Sequence, residues 1–167
     1  MTTPELVHDP EEYKRPLQPL RFLLGHFRGE GRYTQGSKTF SKEMIGSWEA
    51  GGRFIGLRMS VTYPLADGRK DIHHILIMLG TSTTAGQFTA HAFTDSGALL
   101  TYELEWSANT LSFADRPPAS HSTNAQRARK SLTPTREGFE ERLDVDWGDE
   151  AFAPYSIVAM RRIQKDV

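Results

Sequence analysis

Residues 16–33 read PLQPLRFLLGHFRGEGRY, and the stretch Leu24-Gly25-His26-Phe27-Arg28-Gly29-Glu30-Gly31 within it decides the fold. Side chains of a strand alternate between its two faces. Phe27, Gly29, Gly31 and Tyr33 therefore share one face, and His26, Arg28, Glu30 and Arg32 share the other, which reads as solvated. Glycine weakens a strand interior, so two in succession on one face need a reason, either a sharp bend or the close approach of another backbone. A short barrel whose first strand curves over its own floor requires both.

Outward from this stretch the chain keeps the same rhythm. Short β-like runs at 26–34, 39–48, 53–63, 71–80, 87–94, 98–106, 109–114, 126–133, 138–145 and 154–163 alternate with turn signals such as Ala50-Gly51-Gly52, Asp67-Gly68 and Asp95-Ser96-Gly97. With no long amphipathic helix, this predicts an all-β, closed antiparallel up-and-down barrel of about eight to ten strands. Closure also removes the adhesive strand edges. A helical segment of one or two turns is expected over Leu17–Leu24. Residues 1–15 are expected to form a flexible N-terminal segment, with one barrel domain over 16–167.

Composition narrows the function classes. The 167 residues suit one domain with a sizeable core, and the formal net charge of −1 asks for neither nucleic acid nor an anionic membrane. Arg127, Arg129, Lys130 and Arg136 lack interleaved aromatics and read as a solvated face. There is no cysteine, which excludes disulfides, thiol catalysis and thiolate metal sites. The sequence lacks a signal-peptide pattern and any apolar run near the ~20 residues of a membrane span. A cytoplasmic protein, monomer or homodimer, is the expectation. Phosphate-loop and nucleophile-elbow motifs are absent.

Periodicity assigns inner faces. Ile55, Leu57, Met59, Val61 and Tyr63 form one apolar phase, and Leu100, Tyr102, Leu104 and Trp106 form another, continued by Leu111 and Phe113. Such an interior fits an apolar pocket with a few orienting polar contacts. Glu141 shares a phase with Phe139, Leu143 and Val145. An unpaired buried carboxylate is costly, so Glu141 either lies near the rim, the expected place, or has an interior partner such as an arginine. His73 and His74 are adjacent, so one points in and one out. Both faces of that run are apolar, and His74 is expected inward because Asp71 lies on the His73 side. His74 and His91 are the candidate polar contacts, as ligand hydrogen-bond partners or a general base. They make a thin case for zinc, and no metal is expected. The proline-bearing stretch Asp115–Ala125, with His121 on it, is long for a hairpin connection and has a surface-loop reading and a lid reading.

The opening pattern resembles the first strand of calycin-like, fatty-acid-binding-protein-like barrels, and more closely bacterial families near nitrobindin, where a Gly-x-Trp-x-Gly-x-Gly motif follows a short helix. Phe27 stands where that motif has Trp. Gly51-Gly52-Arg53-Phe54-Ile55-Gly56 resembles the second hairpin of these families. Gly86-Gln87-Phe88-Thr89 with Phe93-Thr94-Asp95-Ser96-Gly97 resembles the central one, so the likeness runs roughly over residues 17–162. The resemblance implies a ligand-holding barrel. Fatty-acid-type members hold a carboxylate with late-strand arginine and tyrosine, a role that falls here to Arg161, with Arg58 a second candidate. Nitrobindin-like members bind haem through a histidine from the C-terminal part. Here no histidine follows His121, and the last strand offers Tyr155 and Met160 instead, so no cofactor is expected.

The leading expectation is binding of a small, mainly apolar molecule by Met59, His74, His91, Tyr102, Leu104, Trp106 and Arg161. The alternative is a cofactor-free isomerase or cyclase of a biosynthetic intermediate, with His74, His91 and Tyr102 as catalytic groups. A haem-binding, nitrobindin-like protein ranks last.

Overall fold

The computed structural model describes residues 10–113, 127–148 and 151–163. Ten strands close into one antiparallel barrel in the order β1-β10-β9-β8-β7-β6-β5-β4-β3-β2. They are β1 (Gly25–Tyr33), β2 (Thr39–Glu49), β3 (Phe54–Pro64), β4 (Lys70–Thr81), β5 (Gln87–Thr94), β6 (Leu99–Ser107), β7 (Thr110–Phe113), β8 (Arg127–Pro134), β9 (Gly138–Asp146) and β10 (Phe152–Arg162). Neighbours in sequence pair throughout, and β1 with β10 makes the closing ladder, Phe27 opposite Arg162 and Gly31 opposite Val158. The expected barrel is thus present, each strand within two residues of its expected bounds. No helix among the described residues is long and apolar enough to cross a membrane.

A helical segment precedes β1 and seals one end of the barrel. It starts earlier than the sequence suggests, with helix α1 at Pro10–Lys14 running into a 3-10 segment at Arg15–Leu23. Pro16 and Pro19 supply no backbone N–H, so the tighter turn replaces an α-helical ladder. At about three residues per turn, side chains at i and i+3 eclipse. Leu17, Leu20 and Leu23 consequently fall on one face, and all are fully buried. Phe22 joins them, its ring 5.7 Å from Trp106 and 6.0 Å from Phe139.

The glycines of the opening stretch answer to close neighbours. A Cβ on Gly31 would overlap the Phe40 ring, and one on Gly29 would stand 2.5 Å from the Ala159 carbonyl oxygen. On β2, Gly46 lies directly under the Leu23 carbonyl. The backbone approach that a glycine in a strand implies is therefore made both by the closing strand and by the plug. Arg162 secures the same seam, its guanidinium donating to the Leu24 carbonyl at 2.5 Å and lying 4.6 Å from the Phe27 ring.

Candidate functional site

Around the end opposite the plug, aromatic rings follow one another strand by strand. Trp147, just past β9, meets Tyr155 of β10 at 5.9 Å, and Tyr155 meets Tyr33 of β1 at 5.2 Å. Tyr33 meets Phe40 of β2 at 5.3 Å, Phe40 meets Tyr63 of β3 at 5.6 Å, and Tyr63 meets His73 of β4 at 5.6 Å. This belt covers half the mouth. On the other half Tyr102 of β6 packs edge-on to Phe113 of β7 at 5.7 Å. Tyr33, Tyr63, Ile75, Leu100 and Tyr102 pack against the core yet are only half-buried, so the mouth is lined by accessible apolar and phenolic surface.

Beneath the belt lies a charged cluster. Lys42 of β2 shares the inner phase of Phe40 and Met44, and only 5% of its side chain is exposed. Its Nζ donates to Glu141 Oε2 of β9 at 2.5 Å. Lys130 of β8 approaches the other oxygen, Nζ to Oε1 at 3.5 Å. Between Phe27 and Tyr33 the inner phase of β1 carries only Gly29 and Gly31, so no β1 side chain stands between Lys42 and Glu141.

The electrostatics follow from this packing. Burial acts to raise the Glu141 pKa, but the Lys130 and Lys42 ammonium groups outweigh it and hold the carboxyl at about 2. Lys42 is lowered, by burial first and Lys130 in addition, against the opposing pull of Glu141. Tyr63 is pushed up to about 12, by burial first and then by Tyr33, Glu141, Tyr155 and Asp71. Tyr33 is raised for the same first reason, with Tyr155 next. At neutral pH these phenols are neutral hydrogen-bond donors.

Of the residues expected in the site, Met59, Tyr102 and Leu104 do line the interior, and Trp106 lies at the plug end against Phe22. Three expectations of inward orientation are corrected. Val61, an inner residue, pairs with His73, which puts His73 on the inner phase with Ile77 and Leu79 and turns His74 outward. His91 is exposed because Ala90 and Ala92 take the inner phase of β5, and its Nδ1 lies 3.2 Å from Thr101 Oγ1. Arg161 is exposed as well, alternating with buried Met160, and its Nε bonds Glu137 Oε2 at 3.2 Å. Arg58 faces out too, on Glu49 at 3.0 Å. His74 and Arg161 border open outer depressions of about 360 and 280 Å³.

Two further corrections concern charge. Glu141 is an interior residue, and its partners are lysines rather than an arginine. Lys130 leaves the solvated face of its basic neighbours and points in, on the phase of buried Leu132. His73 stays near the rim, its Nε2 3.0 Å from Asp71 Oδ2. No group of three or more metal-ligating side chains suited to a metal occurs among the described residues. The inner phase of β10 carries Ser156, Val158 and Met160, so these residues offer no C-terminal imidazole for haem iron. The Asp115–Ala125 stretch with His121 lies outside the described residues.

No protein-family model and no curated protein matches the chain. Among solved structures, the crystal structure of Rv2717c from M. tuberculosis is similar, with a TM-score of 0.61 and 15% identity. The match covers 89% of this chain and 98% of that one. At that identity the likeness shows a shared barrel fold, one consistent with ligand binding in general.

Proposed function

We propose that this protein binds a small, mainly apolar molecule in the mouth of its barrel. The observation that carries this reading is the asymmetry of the two ends. One end is sealed by Leu17, Leu20, Leu23 and Phe22, whereas the other presents half-buried Tyr33, Tyr63, Leu100 and Tyr102 above a buried ion pair. Sites for small molecules are mostly apolar with a few placed polar groups, and the side chains of this mouth have that composition. The ligand's body would lie against Tyr63, Tyr102, Ile75 and Met59. The resemblance to calycin-like barrels near nitrobindin supports the same reading.

The test is native mass spectrometry of freshly purified protein with an absorbance scan, followed by titration with the neutral fluorophore N-phenyl-1-naphthylamine. Saturable one-to-one binding, weakened several-fold in Tyr63→Ala, is expected. Failure of the fluorophore to bind, together with the absence of any co-purified mass, would overturn the reading.

One observation favours a second reading, an acid/base isomerase or cyclase. His73 sits at the mouth with its imidazole held by Asp71 at 3.0 Å and its ring against Tyr63. An oriented imidazole is a general-base arrangement. On this reading His73→Ala abolishes turnover of a biosynthetic intermediate while ligand binding survives. Retained turnover would exclude it.

A further inference from the structure

Among the described residues, the interior charges below the aromatic belt do not cancel. Lys42 and Lys130 bring two ammonium groups to one carboxylate, Glu141. An ion taken from water is tolerated only when paired and hydrogen-bonded. Lys42 meets that condition, with 5% of its side chain exposed and its Nζ 2.5 Å from Oε2. Lys130 meets it less well. Its 3.5 Å approach to Oε1 exceeds the ~2.7–2.9 Å of a charge-assisted hydrogen bond. Its ammonium has three donors, and 31% of its side chain is open to solvent.

The surroundings of Lys130 complete a receptor for an anion. Its Nζ lies 6.0 Å from the Phe113 ring, which packs against Tyr102 at the mouth. Glu141, its carboxylate neighbour, is already engaged by Lys42. A group with one negative charge at this point brings two cations and two anions into balance. An uncharged ligand would leave the excess positive charge where solvent is partly excluded.

We infer that the molecule taken up at the mouth carries one acidic group, a carboxylate or sulfonate on an apolar body, and that Lys130 receives it beside the Lys42–Glu141 pair. This inference rests on the binding reading above and specifies the chemistry of its ligand. The apolar body extends from Lys130 along Phe113 and Tyr102 toward Leu100. The outward Arg161, the anchor suggested by the sequence, takes no part.

The experiment compares two fluorophores that differ by a single acidic group, N-phenyl-1-naphthylamine and 8-anilinonaphthalene-1-sulfonate. Each is titrated into the wild type and into Lys130→Gln, Lys130→Met and Lys130→Arg, with near-ultraviolet circular dichroism confirming the fold. The sulfonate is expected to bind the wild type about tenfold more tightly, the size of one hydrogen bond to a charged group. Lys130→Gln and Lys130→Met should erase this preference and leave the neutral fluorophore unaffected, whereas Lys130→Arg should keep it. Equal affinity of the two fluorophores for the wild type, or a preference that survives Lys130→Gln or Lys130→Met, overturns the inference while the binding reading stands. If neither fluorophore binds and no mass co-purifies with the protein, the binding reading falls and takes the inference with it.

Discussion

The Leu23 carbonyl oxygen rests directly on Gly46, in space that any side chain at that position would need. The plug and the barrel thus meet backbone to backbone, and the Cβ of an alanine would overlap that oxygen. Gly46→Ala is expected to destabilise by about 3 kcal/mol, the upper part of the range for overpacking. A urea titration reads the cost as a lowered midpoint at unchanged slope. Because Trp106 packs on Phe22 of the plug, its emission should shift to the red if the plug loosens before the barrel unfolds.

A related prediction concerns Gly31, whose missing side chain makes room for the Phe40 ring. Gly31→Ala should destabilise by about 1–3 kcal/mol. Adding Phe40→Leu should recover part of that loss, because the space the new methyl needs is then vacated. A double-mutant cycle from urea midpoints measures the coupling. Additive effects would show that the ring and the glycine do not compete for the same space.

The interior charges predict an asymmetry between two single substitutions. Lys42→Met leaves Glu141 with Lys130 as partner, whereas Glu141→Leu leaves the buried Lys42 ammonium facing that of half-buried Lys130. Glu141→Leu should therefore cost roughly 3–5 kcal/mol, as for a broken buried pair. Lys42→Met should cost clearly less. Equal losses in urea denaturation would contradict the arrangement.

The same cluster sets a pH dependence. The folded Glu141 carboxyl titrates at about 2, below its ordinary 4.5. A depressed carboxyl contributes stability that is present above the unfolded value and lost as pH falls through the folded one. The wild type should lose on the order of 3 kcal/mol through Glu141 between about pH 4.5 and pH 2. Glu141→Gln should show a shallower decline over that window, measured as urea midpoints across the acid range.

His74→Ala and His91→Ala are expected to leave small-molecule binding unchanged, since both imidazoles lie on the outer wall. Fluorophore titration checks this, and a several-fold loss with either variant would move the site off the mouth.

Much of the fold was legible because one face of most strands is apolar. On β3, β6 and β9 the buried phase alternates with a polar one, which assigns Met59, Tyr102 and Phe139 inward without ambiguity. β4 defeats the same reasoning. Ile72, Leu76 and Met78 on one phase match Ile75, Ile77 and Leu79 on the other, so only lateral pairing with β3 decides between His73 and His74. On β5 the lumen is lined by Ala90 and Ala92, small residues whose apolar signal is weaker than that of Phe93 beside His91. The interior ion pair did leave a trace. Lys42 interrupts the phase of Phe40 and Met44 as Glu141 interrupts that of Phe139 and Val145, and each is the partner the other lacks. The aromatic belt joins residues from six successive positions around the mouth, which no local pattern reports.

The ladder between β1 and β10 has a consequence for how the molecule is made. Phe27 finds its partner in Arg162, so the strand that leaves the ribosome early waits for the latest one before both its edges are satisfied. Pairing strands so far apart in sequence carries a loop-closure cost, and until it is made the nascent sheet is an open ribbon with two adhesive rims. A ribosome stalled before Ile157 would leave such a ribbon for chaperones and proteases to find, with the leucines of the plug still lacking the closed end on which they settle.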